Sequence, residues 1–500
     1  METVVGLIVI GPLLAAAVAL AAQHRPRTRD AVTIGTLAIG AVMAAWLLAE
    51  VNSNGAVVLR VGDWTPELGI VLVADLFAAL ILTVALGTIF VVEVFAIGQR
   101  RTAWGADPEL AGPLLLVLSA GVALSILTGD LFTLFVAFEL ILISSYVLLT
   151  HQGSRSQIQS GMTYVVMNMF ASTLFLLGVA FVYQATGTVN IALLAQRIPE
   201  LADGTRLGIG MWFLVVFGTK AAVFPLFYWL PDSYPTAPTT ITAIFAGLLT
   251  KIGIYTLVRF NTLTGMEDLG PVILGVSALT MVVGVVGALA QDDVKRILSF
   301  HIVSQVGYMV MGLGLFTVAG VAATTFFLIH HMPVKTVLFL VGGLIEDEAG
   351  TSDLDRIGGL ASRRPVVALL FALPALSLSG LPPFSGFIAK LALVDAGLAI
   401  ASTPIVVVSL VVSVLTLLSM AKIWLGVFWG SPVDESSSIV VAVREAGAGR
   451  GGRRLMVGTT GVAVFATLLI ATFAGPLWDM SYRAATNLVD PSAYIAGVLS

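Results

Sequence analysis

Residues 218–252 read GTKAAVFPLFYWLPDSYPTAPTTITAIFAGLLTKI, with two lysines set inside apolar runs long enough to cross a membrane. An ammonium group at mid-bilayer depth is unfavourable by roughly 3 kcal/mol on insertion scales, so a lysine there faces a partner, a backbone carbonyl or water. Lys220 stands about midway along the run from Leu207 to Leu230, and Lys251 lies deep in the run that ends near Arg259. Pro225 follows Lys220 closely. Its ring offers no N–H to the carbonyl of Ala221 and crowds that turn, so the helix is expected to kink or break beside the lysine. A broken helix next to a buried amine predicts a hydrated ion site.

Composition agrees with a membrane setting. Of 500 residues, 58% are hydrophobic and 11% charged, with a mean hydropathy of +1.01, which excludes a string of soluble domains and predicts an all-α polytopic membrane protein. The absence of cysteine excludes disulfides, thiolate metal sites and iron–sulfur ligation, so any electron-transfer chemistry belongs to another chain. A formal net charge of -4 without a basic patch gives no basis for nucleic acid as a partner. No P-loop, haem or flavin motif is present, and no cofactor is expected. Residues 2–22 resemble a signal peptide, but the charged HRPRTRD follows the apolar stretch instead of preceding it, so they read as a retained first helix.

Apolar runs of about 20 residues fall near 2–22, 31–50, 70–97, 110–128, 131–150, 160–184, 207–230, 238–260, 268–290, 297–316, 318–345, 365–397, 402–430 and 455–476, fourteen in all. Alternate loops beginning with HRPRTRD hold Arg25, Arg27, Arg29, Arg100, Arg101, Arg155, Lys295, Arg296, Arg356, Arg363, Arg364, Arg444, Arg450, Arg453 and Arg454. The opposite loops hold only Arg60, Arg197, Arg206, Arg259 and Arg483. Lysine and arginine accumulate on the cytoplasmic side, so both termini of this multi-pass membrane protein are expected outside. NSNGAVVLRVGDW, within 51–69, is expected to form an external hairpin.

A second proline-broken region, SLSGLPPFSGFIAKL at 377–391, places Pro382 and Pro383 in a span with Lys390 beyond them. Two interrupted spans five helices apart, each with one lysine, predict two five-helix repeats in inverted orientation. The expected division is 1–109 for helices 1 to 3, 110–267 for helices 4 to 8, 268–430 for helices 9 to 13, and 431–500 for a cytoplasmic loop, helix 14 and an external tail.

Glu139 is the sole carboxylate in LFTLFVAFELILISSYVLL, and pairing with Lys220 would keep both groups charged. Weakening of that pair by a charge from a neighbouring site would release the lysine proton inward, an electrostatic switch. Lys251 is placed to receive that proton, and Lys390 to end the path in the second half. His331 and Lys335, four residues apart in IHHMPVKTVLFLVGG, share one helix face and suit a relay through water. His330 reads as structural. Metal binding by His330 and His331 is not expected, because consecutive residues diverge by about 100° around a helix and no third ligand is near. Asp75 reads equally as an inter-helix pin or a functional group. Glu50, Glu93 and Lys422, nearer span ends, are expected to snorkel, and His301 and Ser304, at a helix start on the cytoplasmic edge, could admit water or protons, a polar helix start being the simpler reading.

FELILISSYVLL, GTKAAVFPLFYWLPDSYPTAP, QDDVKRILSFHIVSQVGYM, HHMPVKTVLFLVGG and LPPFSGFIAK together resemble the antiporter-like family shared by respiratory complex I and the multisubunit Mrp cation/proton antiporters. The match spans about the middle three-fifths of the chain, and the length and the LPPFSGFIAK wording resemble the D-type branch. The resemblance implies that Glu139, Lys220, Lys251, Lys335 and Lys390 form a line of charge across the membrane middle. Assembly with other Mrp-type membrane subunits in a hetero-oligomeric complex is also implied, with H+ and Na+ or K+ as the transported ions. The expected function is proton translocation driving monovalent cation efflux by a secondary transporter rather than an enzyme. A pumping subunit of NADH:quinone oxidoreductase or of a membrane-bound hydrogenase is the alternative.

Overall fold

The computed structural model describes residues 1–67, 69–100, 109–151, 153–430 and 450–499. Two leading helices, α1 (Glu2–Ala21) and α2 (Pro26–Asn54), precede an antiparallel hairpin of β1 (Val57–Arg60) and β2 (Val71–Ala74), in register from Val57 opposite Ala74 to Arg60 opposite Val71. Helix α3 (Leu76–Arg100) therefore starts later than position 70. The branched VLVA segment pairs as a strand, and the Asp75 carboxylate accepts the Ala78 N–H at 2.8 Å to start the helix.

Next come α4 (Ala111–Leu127), α5 (Leu131–Thr150), α6 (Arg155–Thr186), the short α7 (Ile191–Arg197), α8 (Asp203–Ala221) and α9 (Trp229–Ser233). Helices α10 (Thr239–Ile244) and α11 (Thr250–Leu263) join through a π-helical turn, Phe245–Leu249, into one span. Then follow α12 (Gly270–Leu289), α13 (Val294–Gly314), α14 (Val318–Ala349), α15 (Leu360–Arg363), α16 (Pro365–Ser379), α17 (Ser385–Ala399) and α18 (Thr403–Ile423). The chain closes with α19 (Arg450–Thr472), α20 (Ala474–Val489) and α21 (Ser492–Leu499). The expected loop before α19 lies, at 431–449, outside the described residues.

All fourteen apolar runs coincide with helices, and eleven described helices are long and apolar enough to cross a membrane. The other three are the 17-residue α4 and the two interrupted spans, α8–α9 and α16–α17. Burial sorts these helices. The α10–α11 span is wholly buried, and α13 and α14 nearly so, whereas α1, α2, α6, α12 and α18 turn most of their surface outward. The polar residues of the sequence motifs lie mainly on the buried helices, where lipid does not reach them.

The two interruptions share a construction. At the end of α8, Val223 and Ala222 donate to the carbonyls of Gly218 (3.0 Å) and Thr219 (3.2 Å). At the end of α16, Leu381 and Gly380 donate to Leu376 (3.2 Å) and Ser377 (3.0 Å). Each is a helix end closed by a residue of positive φ, Ala222 at 61° and Gly380 at 83°. A cis X–Pro bond follows each, Phe224–Pro225 and Pro382–Pro383.

The tail after α19 is a pair of helices. In α20 the residues Ala474, Ser481, Ala484, Ala485 and Leu488 are buried, and α20 packs against α14. Its polar outer face lowers the summed hydropathy of WDMSYRAATNLV, which hides the helix from a span search. In α21, Tyr494 lies against Arg259 and the Val498 carbonyl accepts from Arg60 at 3.1 Å.

Asp75 is a pin. Arg259 donates to both its oxygens at 2.8 and 2.7 Å and to Tyr255 at 2.9 Å, and Tyr255 donates to the Ile126 carbonyl at 2.6 Å, joining α3, α4 and α11. Glu93 does not snorkel either: it is buried and accepts from Arg100 at 2.6 Å. Lys422 caps the end of α12 through the carbonyls of Leu289 (3.1 Å) and Gln291 (2.7 Å), and also meets Asp292 at 2.8 Å. Arg259→Leu leaves the Asp75 carboxylate uncompensated, and the purified assembly is expected to lose about 3–5 kcal/mol of stability. Thermal denaturation should show much of that loss recovered in the double variant with Asp75→Leu.

Candidate functional site

Lys220 occupies the last turn of α8, where the helix dipole favours a cation. Its Nζ donates to the Asn168 carbonyl at 3.3 Å and to Ser172 Oγ at 3.0 Å, both on α6, and stands 5.5 Å from the Phe138 ring centre. Glu139 acts on it electrostatically without forming a direct ion pair. The reason is the rotation of α5: one residue step turns about 100°. Phe138 points at the amine, while Glu139 sits half-buried at the edge of the outer stripe of Phe132, Val136 and Ile143. Glu139 Oε1 has no hydrogen-bond partner among the described residues. A cavity of ≈ 20 Å³ adjoins Lys220, Asn168 and Trp229, enough for a single water.

The second amine lies deeper. Lys251 Nζ donates to the Ala246 carbonyl, which lies in the π-helical turn of its own span. The α11 backbone approaches α8 closely here. A Cβ on Gly253 would lie 2.7 Å from the Ala221 nitrogen and 2.9 Å from the Lys220 carbonyl carbon, so only glycine lets the two lysine-bearing segments touch. Lys335, on α14, donates to the Leu298 carbonyl of α13 at 3.1 Å. His331 is fully buried one turn before it, with both ring nitrogens unpartnered among the described residues. Lys251, Lys335, Lys390 and His330 all act electrostatically on that ring.

At the second interruption, Lys390 donates to the Ser379 carbonyl at 3.2 Å and to Ser413 Oγ at 3.0 Å, and it stands 5.0 Å from the Tyr308 ring centre. His330 Nδ1 is bonded to Ser385 Oγ at 2.8 Å, tying α14 to the first turn of α17. His301 is not at a helix edge. It is buried two turns inside α13, bonded to Ser419 Oγ at 2.9 Å, and acted on by both Lys335 and Lys390.

The structure thus brings Lys251, His331, Lys335 and Lys390 into one electrostatically linked group, with Glu139 and Lys220 as a second group joined to it through the Gly253 contact. All four of these lysines are held by carbonyls or hydroxyls and, among the described residues, none by a carboxylate. Lysines at the rim behave differently, as in Lys295–Glu346 at 2.5 Å and Lys422–Asp292 at 2.8 Å. The sequence reading missed Ser172 and Ser413 as members of the row and put His301 at a helix edge instead of inside α13. For His301 a signal existed: His301, Gln305 and Tyr308 recur at helical spacing along one face of α13. Ser172 and Ser413 carried none, because a serine in an apolar helix has many uses.

Residues 128–416 match the family model described as NADH:quinone oxidoreductase/Mrp antiporter, TM. The chain belongs to this family. Over 487 residues, 96% of either chain, it is 41% identical to the D subunit of the Na(+)/H(+) antiporter of Alkalihalophilus pseudofirmus. Among solved structures it is similar to a chain of the Mrp complex from Dietzia sp. DQ12-45-1b, at a TM-score of 0.91 and 35% identity, covering 100% of this chain and 99% of that one. It is also similar to a chain of the membrane-bound sulfane sulfur reductase, an archaeal respiratory membrane complex, at a TM-score of 0.89 and 26% identity over the whole of both. The matched segment of this antiporter-family chain contains both interrupted spans and all four amines.

Gly380 is where the backbone and the site meet. Its φ of +83° strains any side chain, and a Cβ there would lie 2.8 Å from Lys390 Cδ. Gly380→Ala is therefore expected to cost about 1–3 kcal/mol and to push Lys390 off Ser413. Thermal stability together with cation-dependent proton exchange checks this: both should fall, whereas Ala222→Gly at the matching position of α8 should leave the fold intact.

Proposed function

We propose that this chain is the D-type proton-translocating subunit of a multisubunit Na+(K+)/H+ antiporter of the plasma membrane, working with other Mrp-type subunits to drive monovalent cation efflux. The observation that carries the reading is the row of buried amines bonded only to neutral oxygens. A carboxylate at hydrogen-bond distance would hold each ammonium charged, whereas carbonyls and hydroxyls accept from the ammonium and leave the cost of its burial only partly offset. Such a lysine can give up its proton and regain it. Protons step along Lys220, Lys251, Lys335 and Lys390, with Glu139 modulating Lys220 across the Phe138 edge and His331 relaying between Lys251 and Lys335. The break at Pro382–Pro383 leaves the Ser379 carbonyl open to Lys390, and the break at Pro225 ends α8 one residue after Lys220. The full-length likeness to the D subunit of a Na(+)/H(+) antiporter and to a chain of an Mrp complex supports the cation and the assembly.

The two units, 110–267 and 268–430, are read as two half-channels in inverted orientation. Their shared break construction supports this, and so do two isolated bridges, Asp130–Asn190 and Asp293–Asp353, in each of which the first aspartate caps a helix. A redox-driven pump is the second reading, favoured by the likeness to a respiratory membrane complex. Neighbouring genes separate the two: small Mrp-type membrane subunits accompany the first, iron–sulfur subunits the second.

In inverted vesicles from an antiporter-deficient host carrying the whole operon, Lys220→Ala should reduce cation-dependent proton exchange by about 10²-fold or more while the complex still assembles. Lys335→Arg should do the same, since guanidinium keeps the charge and does not deprotonate. Full exchange by the arginine variant would mean that Lys335 supplies only charge. Both termini are read as external on the asymmetry of loop arginines. The chain has no cysteine, so one introduced at Ser492 should react with an impermeant maleimide in intact cells and be protected in inverted vesicles.

A further inference from the structure

The stripe on α13 that contains His301 and Tyr308 holds a third member to which the proton path gives no role. Gln305 follows His301 by one turn and precedes Tyr308 by slightly less than one, so the three side chains share a face. The residues flanking it belong to the amine row on either side. His301 is acted on by Lys335 and Lys390, and Tyr308 lies under the Lys390 ammonium and is stacked on Phe327 at 5.7 Å. Phe327 in turn stands 6.0 Å from His331. Gln305 therefore occupies the interval between the His331–Lys335 turn and Lys390. It is completely buried, and neither its amide oxygen nor its amide nitrogen has a hydrogen-bond partner among the described residues. Unpartnered atoms recur nearby on the neighbouring histidines: both nitrogens of His331 and Nδ1 of His301.

Buried polar groups are almost always hydrogen-bonded, to protein or to ordered water. One orphaned atom is an exception that a shift of a side chain repairs. Five on three residues along one interval, both donor and acceptor at Gln305, are what a short file of waters satisfies. We propose that Gln305 is a positioning residue that orders the water file linking His331 and Lys335 to Lys390. Its carboxamide is suited to the task. It presents an acceptor to one water and a donor to the next, so it orients both without holding a charge that would compete with the lysines. This inference rests on the reading of the buried amines as a proton path.

The experiment compares the purified, reconstituted whole complex with its Gln305→Leu and Gln305→Asn variants. Leucine keeps nearly the same bulk and removes the polar atoms. Asparagine keeps the carboxamide and leaves room for water to make up the missing methylene. Cation-dependent proton exchange is expected to fall about tenfold or more in Q305L and to stay within about threefold of the parent in Q305N. A side chain that only fills space gives the opposite order, with leucine tolerated and asparagine impaired, and that order overturns the proposal. High-resolution electron microscopy of the parent complex supplies a second test that needs no turnover and does not depend on a variant folding. Ordered water bonded to the Gln305 carboxamide supports the proposal, and a carboxamide bonded only to protein overturns it. Water at Gln305 in a complex that exchanges no cation would refute the antiporter reading while leaving the positioning role in place.

Discussion

An ammonium group taken out of water must find oxygen. In this chain two of the four buried amines meet that requirement where the helices stop being regular, and Lys220 meets it on the unbroken α6, at the Asn168 carbonyl and the Ser172 hydroxyl. Lys251 bonds a carbonyl of a π-helical turn, and Lys390 bonds the Ser379 carbonyl at the end of α16. Each irregularity releases acceptors that an unbroken helix would use for itself. Lys335 lies in a continuous helix and instead uses the second lone pair of the Leu298 carbonyl on the neighbouring helix. At Lys251 and Lys390 the irregularity and the amine are therefore one device, and Ser413 shares the Ser379 carbonyl with Lys390 at 3.0 Å.

The charges of the molecule fall into two populations with different physics. Asp75–Arg259, Glu93–Arg100 and Lys295–Glu346 are ion pairs that hold elements together, near helix ends where partners of opposite sign are available. The four buried amines have no such partners among the described residues. An ion pair locks the protonation of both its members, so it suits a pin and not a carrier. Partial satisfaction by neutral oxygens is less favourable to the fold and, on the proposed function, keeps the proton exchangeable.

The sequence by itself determined the membrane setting, the fourteen helices, the two broken spans and the identities of the buried amines. Each of these rests on a local quantity: summed hydropathy, a missing N–H, or a charge in an apolar run. Only the first strand of the hairpin lies in the stretch expected to form it: Asn52 and Asn54 belong to α2, and the partner strand 71–74 comes out of the run read as the third helix, because branched residues suit strand and span alike. Only the tertiary structure decided what each ionisable group faces. It turned Glu139 to the edge of the bundle and put Phe138 against Lys220, made Asp75 and Glu93 pins, drew His301 into the interior, and folded the tail back as α20 along α14. The physical reason is that burial of a type of residue is written in its own neighbourhood, whereas its partner depends on helix rotation and packing between segments far apart in the chain.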